Sequence, residues 1–150
     1  MKINLTQNKN FKLFKIISKV AQENNQTVYI VGGYVRDLLM QRKAPTDIDF
    51  VTEQSGIELA KAVGKELGDL KVSVFKTYGT AMIKYKDLDL VFVGARKESY
   101  SEDSRKPAVE TGTLEDDQKR RDFTVNALAI SLNAENFGEL IDPFNGRKDM

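Results

Sequence analysis

Apolar residues recur at helical spacing near the start of the chain, at Phe11, Phe14, Ile17 and Ala21, with Leu13 and Val20 beside them. That period predicts an amphipathic helix near residues 8 to 24, with Asn24-Asn25 as its stop. A compact β-rich run follows, Val28-Tyr29-Ile30-Val31, ending in Gly32-Gly33, which reads as a buried strand feeding a tight turn. Val35, Leu38, Leu39 and Met40 then suggest a short helix that starts at the glycines. Residues 46 to 52 read as a second strand, and GIELAKAVGKEL as the next helix.

From Val72 the pattern changes to short runs, VSVF, TAMIKY and DLDLVFV, separated by Thr77-Tyr78-Gly79 and Lys86-Asp87. This predicts a meander of antiparallel strands. Residues 95 to 117 are polar, mixed in charge and nearly free of large apolar residues, which predicts a mobile loop. Lys119 to Phe123 is expected to close a short helix, followed by a buried stretch, VNALAISL, and a final run, GELIDPFNGRKDM. Ending on Lys148-Asp149-Met150, directly after a structured-looking segment, the chain is expected to be a fragment of something longer.

Composition narrows this picture. At 150 residues the chain holds one domain with a real core, and 41% hydrophobic with 30% charged residues is the balance of a soluble globular protein. No apolar run approaches the ~20 residues needed to cross a bilayer, and the N-terminus lacks the apolar stretch of a signal peptide, so the default location is cytoplasmic. There is no cysteine and no histidine. Disulfides, thiolate zinc sites, cysteine nucleophiles and the usual imidazole base are thereby excluded, and carboxylates are left to carry acid, base or metal chemistry. Lys and Arg number 23 against 22 Asp and Glu, so any nucleic-acid surface must come from local clustering.

Asp47-Ile48-Asp49 is the leading candidate for chemistry. Side chains two apart on a strand share a face, so both carboxylates point to one spot, with Ile48 and Phe50 turned the other way. Paired hard oxygens suit Mg²⁺ in phosphoryl transfer; a loop turn or a helix cap is the plainer use of the same tripeptide. Calcium-loop use is disfavoured, because Val51-Thr52 lack the further ligands and glycine that such a loop needs. Asp89, in the alternating run Leu88 to Phe92, is a candidate third carboxylate, with Asp87 a competitor two residues earlier.

Gly32-Gly33 allows close approach of backbone to a phosphate, or is simply a turn, and the fuller GxGxxG and GxxxxGK[ST] patterns are absent. Arg36 could fork onto phosphate oxygens or pair with neighbouring Asp37. Lys119-Arg120-Arg121-Asp122 is either a solvated basic face or, anchored by Phe123 and the apolar stretch behind it, a group aimed inward. Asn126 in that stretch needs hydrogen-bond partners if buried.

Taken in order, these segments resemble a family. GGYVRDLLMQRKAPTDIDF resembles the first signature of the class II tRNA nucleotidyltransferase (CCA-adding enzyme) and bacterial poly(A) polymerase family, GGxVRD followed by DxD. RRDFTVNALAI looks like its second signature, and LIDPFNGRKDM looks like the segment that closes the catalytic head. The resemblance implies an α+β, polymerase-β-like nucleotidyltransferase fold, with a mixed, mostly antiparallel sheet flanked by helices. It implies Mg²⁺-dependent transfer of a nucleoside monophosphate from CTP or ATP to the 3′-hydroxyl of tRNA or another RNA, releasing pyrophosphate.

Carried over, Asp47 and Asp49 match the metal-binding pair, while Gly33 and Arg36 match triphosphate contacts, with Gly32 completing the turn. Arg121 matches a nucleotide-contacting arginine, and Arg120, Asp122 and Asn126 fall in the same signature, Asn126 as a candidate for sugar contact. Asp89 falls where the family carries a further acidic residue, before an arginine-bearing segment that Arg96 would match. Asn145 departs from the family's usual glycine. In this family the base is chosen by a neck domain beyond this point, so the head alone is expected to be weakly active or inactive. CCA addition leads, and poly(A) addition is the close alternative. A nucleotide-sugar glycosyltransferase using Asp-x-Asp, or a nucleotide-binding module without catalysis, would leave the flanking signatures or the intact acidic pair unexplained.

Overall fold

The computed structural model describes residues 2–40, 46–76, 79–100, 107–111, 114 and 128–142, with backbone alone for 96–100 and 107–111. Helix α1 spans Phe11–Glu23 and buries Leu13, Phe14, Ile17, Val20 and Ala21, the stripe that the helical period marks out. Strand β1 (Tyr29–Val31) runs into Gly32 and the short helix α2 (Gly33–Leu39). Strand β2 is Asp47–Thr52, and helix α3 is Gly56–Glu66. Ser55 caps α3 by accepting the Glu58 N–H at 3.2 Å. Strands β3 (Val72–Phe75), β4 (Thr80–Tyr85) and β5 (Leu88–Gly94) form the expected antiparallel meander.

The main sheet has seven strands in the order β3-β4-β5-β2-β1-β8-β9, where β8 is Ala129–Ser131 and β9 is Leu140–Ile141. Among the described residues only β2 and β5 run parallel in this sheet; the other pairs are antiparallel, so the sheet is mixed and mostly antiparallel as expected. That parallel pair is joined through α3 and the β3–β4 hairpin, because parallel neighbours need a long crossover.

The core lies on one face of this sheet. Ile30, Ile48, Phe50, Ala81, Ile83, Leu90, Phe92 and Ile130 alternate inward and are covered by the apolar sides of the helices. Phe50 stacks on Phe92 at 5.0 Å, while Phe14 of α1 meets Phe50 and Tyr34 edge-on at 6.3 and 5.8 Å. The opposite face carries a smaller cluster, Val31, Val51, Ala95, Leu114 and Ala129. That is also the face on which Asp47 and Asp49 alternate.

The expected loop at 95–117 is corrected in part. Arg96–Tyr100 (β6) and Pro107–Thr111 (β7) are strands that pair antiparallel as a separate two-stranded sheet. Their sequences mix polar residues on both sides of the alternation, so a hairpin held by backbone hydrogen bonds leaves no apolar period to read. The helix expected at Lys119 to Phe123 lies outside the described residues.

Candidate active site

The site is built where three chain segments meet on the open face. Strand β1 lies in register with β2, Val31 opposite Asp49, so the turn that leaves β1 arrives beside the Asp49 carboxylate. Gly32 is held at φ +78° and ψ −149°, a conformation essentially confined to glycine. A Cβ built there would stand 3.2 Å from Asp49 Oδ2. Glycine is therefore required twice at this position, for the backbone and for the room it leaves.

Arg36 follows on α2. Its Nε donates to Asp37 Oδ1 at 3.1 Å, and its Nη2 lies 3.4 Å from where a Cβ on Gly33 would be. Of the two uses suggested by the sequence, the pairing with Asp37 is the one present. Asp37 holds the guanidinium, and the held guanidinium lies over the glycine turn. A planar fork in that position can bind two oxygens of an anion.

Asp47 is exposed and Asp49 half-buried, on the same face of β2, while Ile48 and Phe50 are buried on the other. In the parallel pairing Asp47 stands opposite Asp89 of β5, and the Asp89 N–H donates to the Thr46 carbonyl at 2.9 Å. Registered partners on adjacent strands share a face, so Asp89 lies on the same sheet face as Asp47. Asp87 instead sits with Lys86 in the two-residue turn between β4 and β5, which Tyr85 and Leu88 close. Lys84 of β4, opposite Asp89, adds a cation that the sequence pattern does not single out. Its signal is its place in the alternation of β4, readable only once the hairpin register is known.

The donor set fits Mg²⁺ without forming an all-protein cage. Among the described residues no three His, Cys, Asp or Glu side chains come together as a cation site. Mg²⁺ dehydrates reluctantly and is commonly held by one or two carboxylates with waters and substrate phosphates, which is what Asp47 and Asp49 can offer. Arg120, Arg121, Asp122 and Asn126 lie outside the described residues, as does Asn145; of Arg96 the backbone alone is described, starting β6 opposite Thr111.

Residues 28–150 match the family model described as the poly A polymerase head domain. The chain belongs to that family. It is 47% identical over 122 residues to the A-adding tRNA nucleotidyltransferase of Aquifex aeolicus, covering 81% of this chain and 15% of that protein. It is 36% identical over 145 residues to the A-adding enzyme of Halalkalibacterium halodurans, covering 95% of this chain and 33% of the relative. Among solved structures, a tRNA-processing enzyme in its apo form I matches with a TM-score of 0.85 and 40% identity, over 99% of this chain and 36% of that one. A tRNA nucleotidyltransferase solved with a primer tRNA and an incoming ATP analog matches with a TM-score of 0.76 and 42% identity, over 89% of this chain and 36% of that one.

The chain thus spans between about a seventh and about a third of the length of these relatives and structures. The likeness bears out the nucleotidyltransferase head fold, and membership in this family removes the glycosyltransferase alternative. Among the described residues no helix is long and apolar enough to cross a membrane.

Proposed function

We propose that this chain is the catalytic head of a cytoplasmic tRNA nucleotidyltransferase, which transfers nucleoside monophosphates from CTP and ATP to the 3′-hydroxyl of tRNA. The observation that supports this is that Asp47, Asp49 and, by strand register, Asp89 lie on one sheet face, with the Gly32 turn against Asp49 and the Arg36 guanidinium over Gly33. In the transfer, the 3′-oxygen forms a bond to the α-phosphorus, the bond from that phosphorus to the bridging oxygen of the β-phosphate breaks, and pyrophosphate leaves. Asp47 and Asp49 would hold Mg²⁺, which when bound supplies charge to the phosphate oxygens. Arg36 and the backbone at Gly32 and Gly33 take the triphosphate, with Arg120, Arg121, Asp122 and Asn126 as the remaining nucleotide contacts. Asp89 accepts the proton of the attacking hydroxyl.

Addition of A alone is the second reading. It is favoured by relatives at 36 to 47% identity that are named A-adding enzymes, whereas those named CCA-adding stand at 33 to 37%. The full-length protein, given tRNAs lacking all of the 3′-CCA or only its final A, with CTP, ATP or both, distinguishes these by sequencing of the product. CCA completion on the shortest tRNA supports the first reading, A added only to tRNA ending in CC the second, and long A tails on unrelated RNA point to poly(A) addition. Asp49→Ala is expected to lower addition at least about 1,000-fold, with the fold retained by circular dichroism. Near-normal addition by that variant in Mg²⁺ would sink the assignment.

A further inference from the structure

Next to the glycine turn, the buried side chain of Tyr34 ends in a polar group whose partners come from another part of the fold. Tyr34 stands in the first turn of α2, between Gly33 and Arg36, and is only 2% exposed. Its ring packs edge-on against Phe14 of α1 at 5.8 Å, as a phenylalanine could. Its hydroxyl does more. It accepts a hydrogen bond from Asn10 Nδ2 at 3.1 Å and donates to Asn8 Oδ1 at 3.2 Å, and the same Oδ1 accepts the Asn10 N–H at 2.8 Å. Asn10 occupies the N-cap of α1, where an asparagine ordinarily accepts an N–H of its own helix, yet it makes no such bond. Its amide is turned to Tyr34 instead. Both asparagines also precede residues 28–150, the part of the chain that matches the family model.

We infer that Tyr34 is a positioning residue for the nucleotide: its hydroxyl, held between Asn8 and Asn10, fixes the rotation of α2 and with it the Arg36 guanidinium that takes the triphosphate. This rests on the functional reading above. Residues two apart on a helix point about 200° apart, so Tyr34 faces the core while Arg36 leaves the opposite side of the same helix. α2 has seven residues and no side-chain cap, its N-cap being Gly32, so its own turns do little to fix its angle. A turn of about 10° moves an atom ~6 Å from the helix axis by about 1 Å. A displacement of that size in a group that orients substrate can remove about 100-fold in rate. A buried ring alone tolerates such a turn, whereas two directional hydrogen bonds at its tip resist it.

The test uses the full-length protein. Tyr34→Phe keeps the ring and removes the hydroxyl, and is expected to raise KM for ATP at least about threefold while KM for tRNA stays within about twofold of wild type. Ile83→Val, a change in the buried core on β4, two strands from β2, is the control for stability. It is expected to lower the melting temperature by a similar amount and to leave KM for ATP within about twofold. Asn10→Ala removes no capping bond and is expected to raise KM for ATP as Tyr34→Phe does. Because both changes break one interaction, the double variant is expected to stay within about twofold of the worse single one. The inference is overturned if Tyr34→Phe raises KM for ATP less than about threefold, if Ile83→Val raises it alike, if KM for tRNA rises by the same factor, or if the Tyr34→Phe and Asn10→Ala effects multiply. A full-length wild-type protein that adds no nucleotide to tRNA overturns the functional reading; an active wild type with an unaltered KM for ATP in Tyr34→Phe overturns this inference alone.

Discussion

Gly32 and Asp49 are adjacent in space because two separate sequence signals, a glycine turn and an acidic alternation, sit opposite each other in the β1–β2 register. A methyl group at Gly32 would have to tolerate φ +78° and would stand 3.2 Å from Asp49 Oδ2. The backbone strain is worth about 1–3 kcal/mol. On the proposed function, displacing the Asp49 carboxylate adds a cost in rate. Gly32→Ala is therefore expected to lower the melting temperature and, in addition, to cut kcat/KM for nucleotide addition by about 100-fold. Activity at wild-type level in a folded Gly32→Ala protein would show that Asp49 has room the geometry denies. Asp47 and Asp49 were readable from sequence because strand alternation alone puts them on one face. Arg36 was not settled that way, since the choice between Asp37 and a phosphate depends on where its Nη2 lies, and the answer is that it serves Asp37 while resting on Gly33. That Asp89 stands opposite Asp47 while Asp87 lies in the turn needed the strand register, a long-range fact absent from local pattern.

Among the elements, those with a one-sided apolar pattern were legible: α1, α3, β2 and the β3–β4–β5 meander lie within a few residues of where periodicity puts them. The β6–β7 hairpin was missed because its sequence carries no one-sided apolar alternation. The close seating of α3 was also hidden. Gly56, its first residue, sits so near β5 that an added Cβ would stand 2.7 Å from the Val93 carbonyl carbon and 2.8 Å from the Gly94 nitrogen. These are backbone atoms of a central strand and cannot swing aside. Gly94 is equally constrained, with a Cβ there 2.9 Å from the Gln54 carbonyl oxygen. Gly56→Ala gains helix propensity but must push α3 off the sheet, and overpacking of this kind costs about 1–3 kcal/mol. A lower denaturation midpoint is expected, with no change in the slope of the unfolding curve. A more stable Gly56→Ala protein would mean that α3 slides at little cost.

The whole molecule is a sheet with two unequal faces. Among the described residues, one is covered by α1, α2 and α3 over a contiguous aromatic and aliphatic core; the other carries a small apolar cluster and a row of acids. On that open face Tyr29 is half-buried beside Glu53, and burial, with the Glu53 charge behind it, pushes its hydroxyl up from 10.0 to about 12. The sign of the linkage follows. Between pH 10 and 12 the unfolded chain loses this proton while the folded chain keeps it, so the unfolded state is favoured as pH rises. The contribution is whole below pH 10 and is lost as pH climbs through 12. Global stability is therefore expected to fall over this alkaline range, and Tyr29→Phe, having no proton to lose there, is expected to fall less steeply between pH 9.5 and 11.5. Urea midpoints taken across that range for both proteins decide it. Parallel declines would assign the alkaline loss to lysines and to other tyrosines, and would show that Glu53 and Tyr29 are not coupled strongly enough to be felt by the fold.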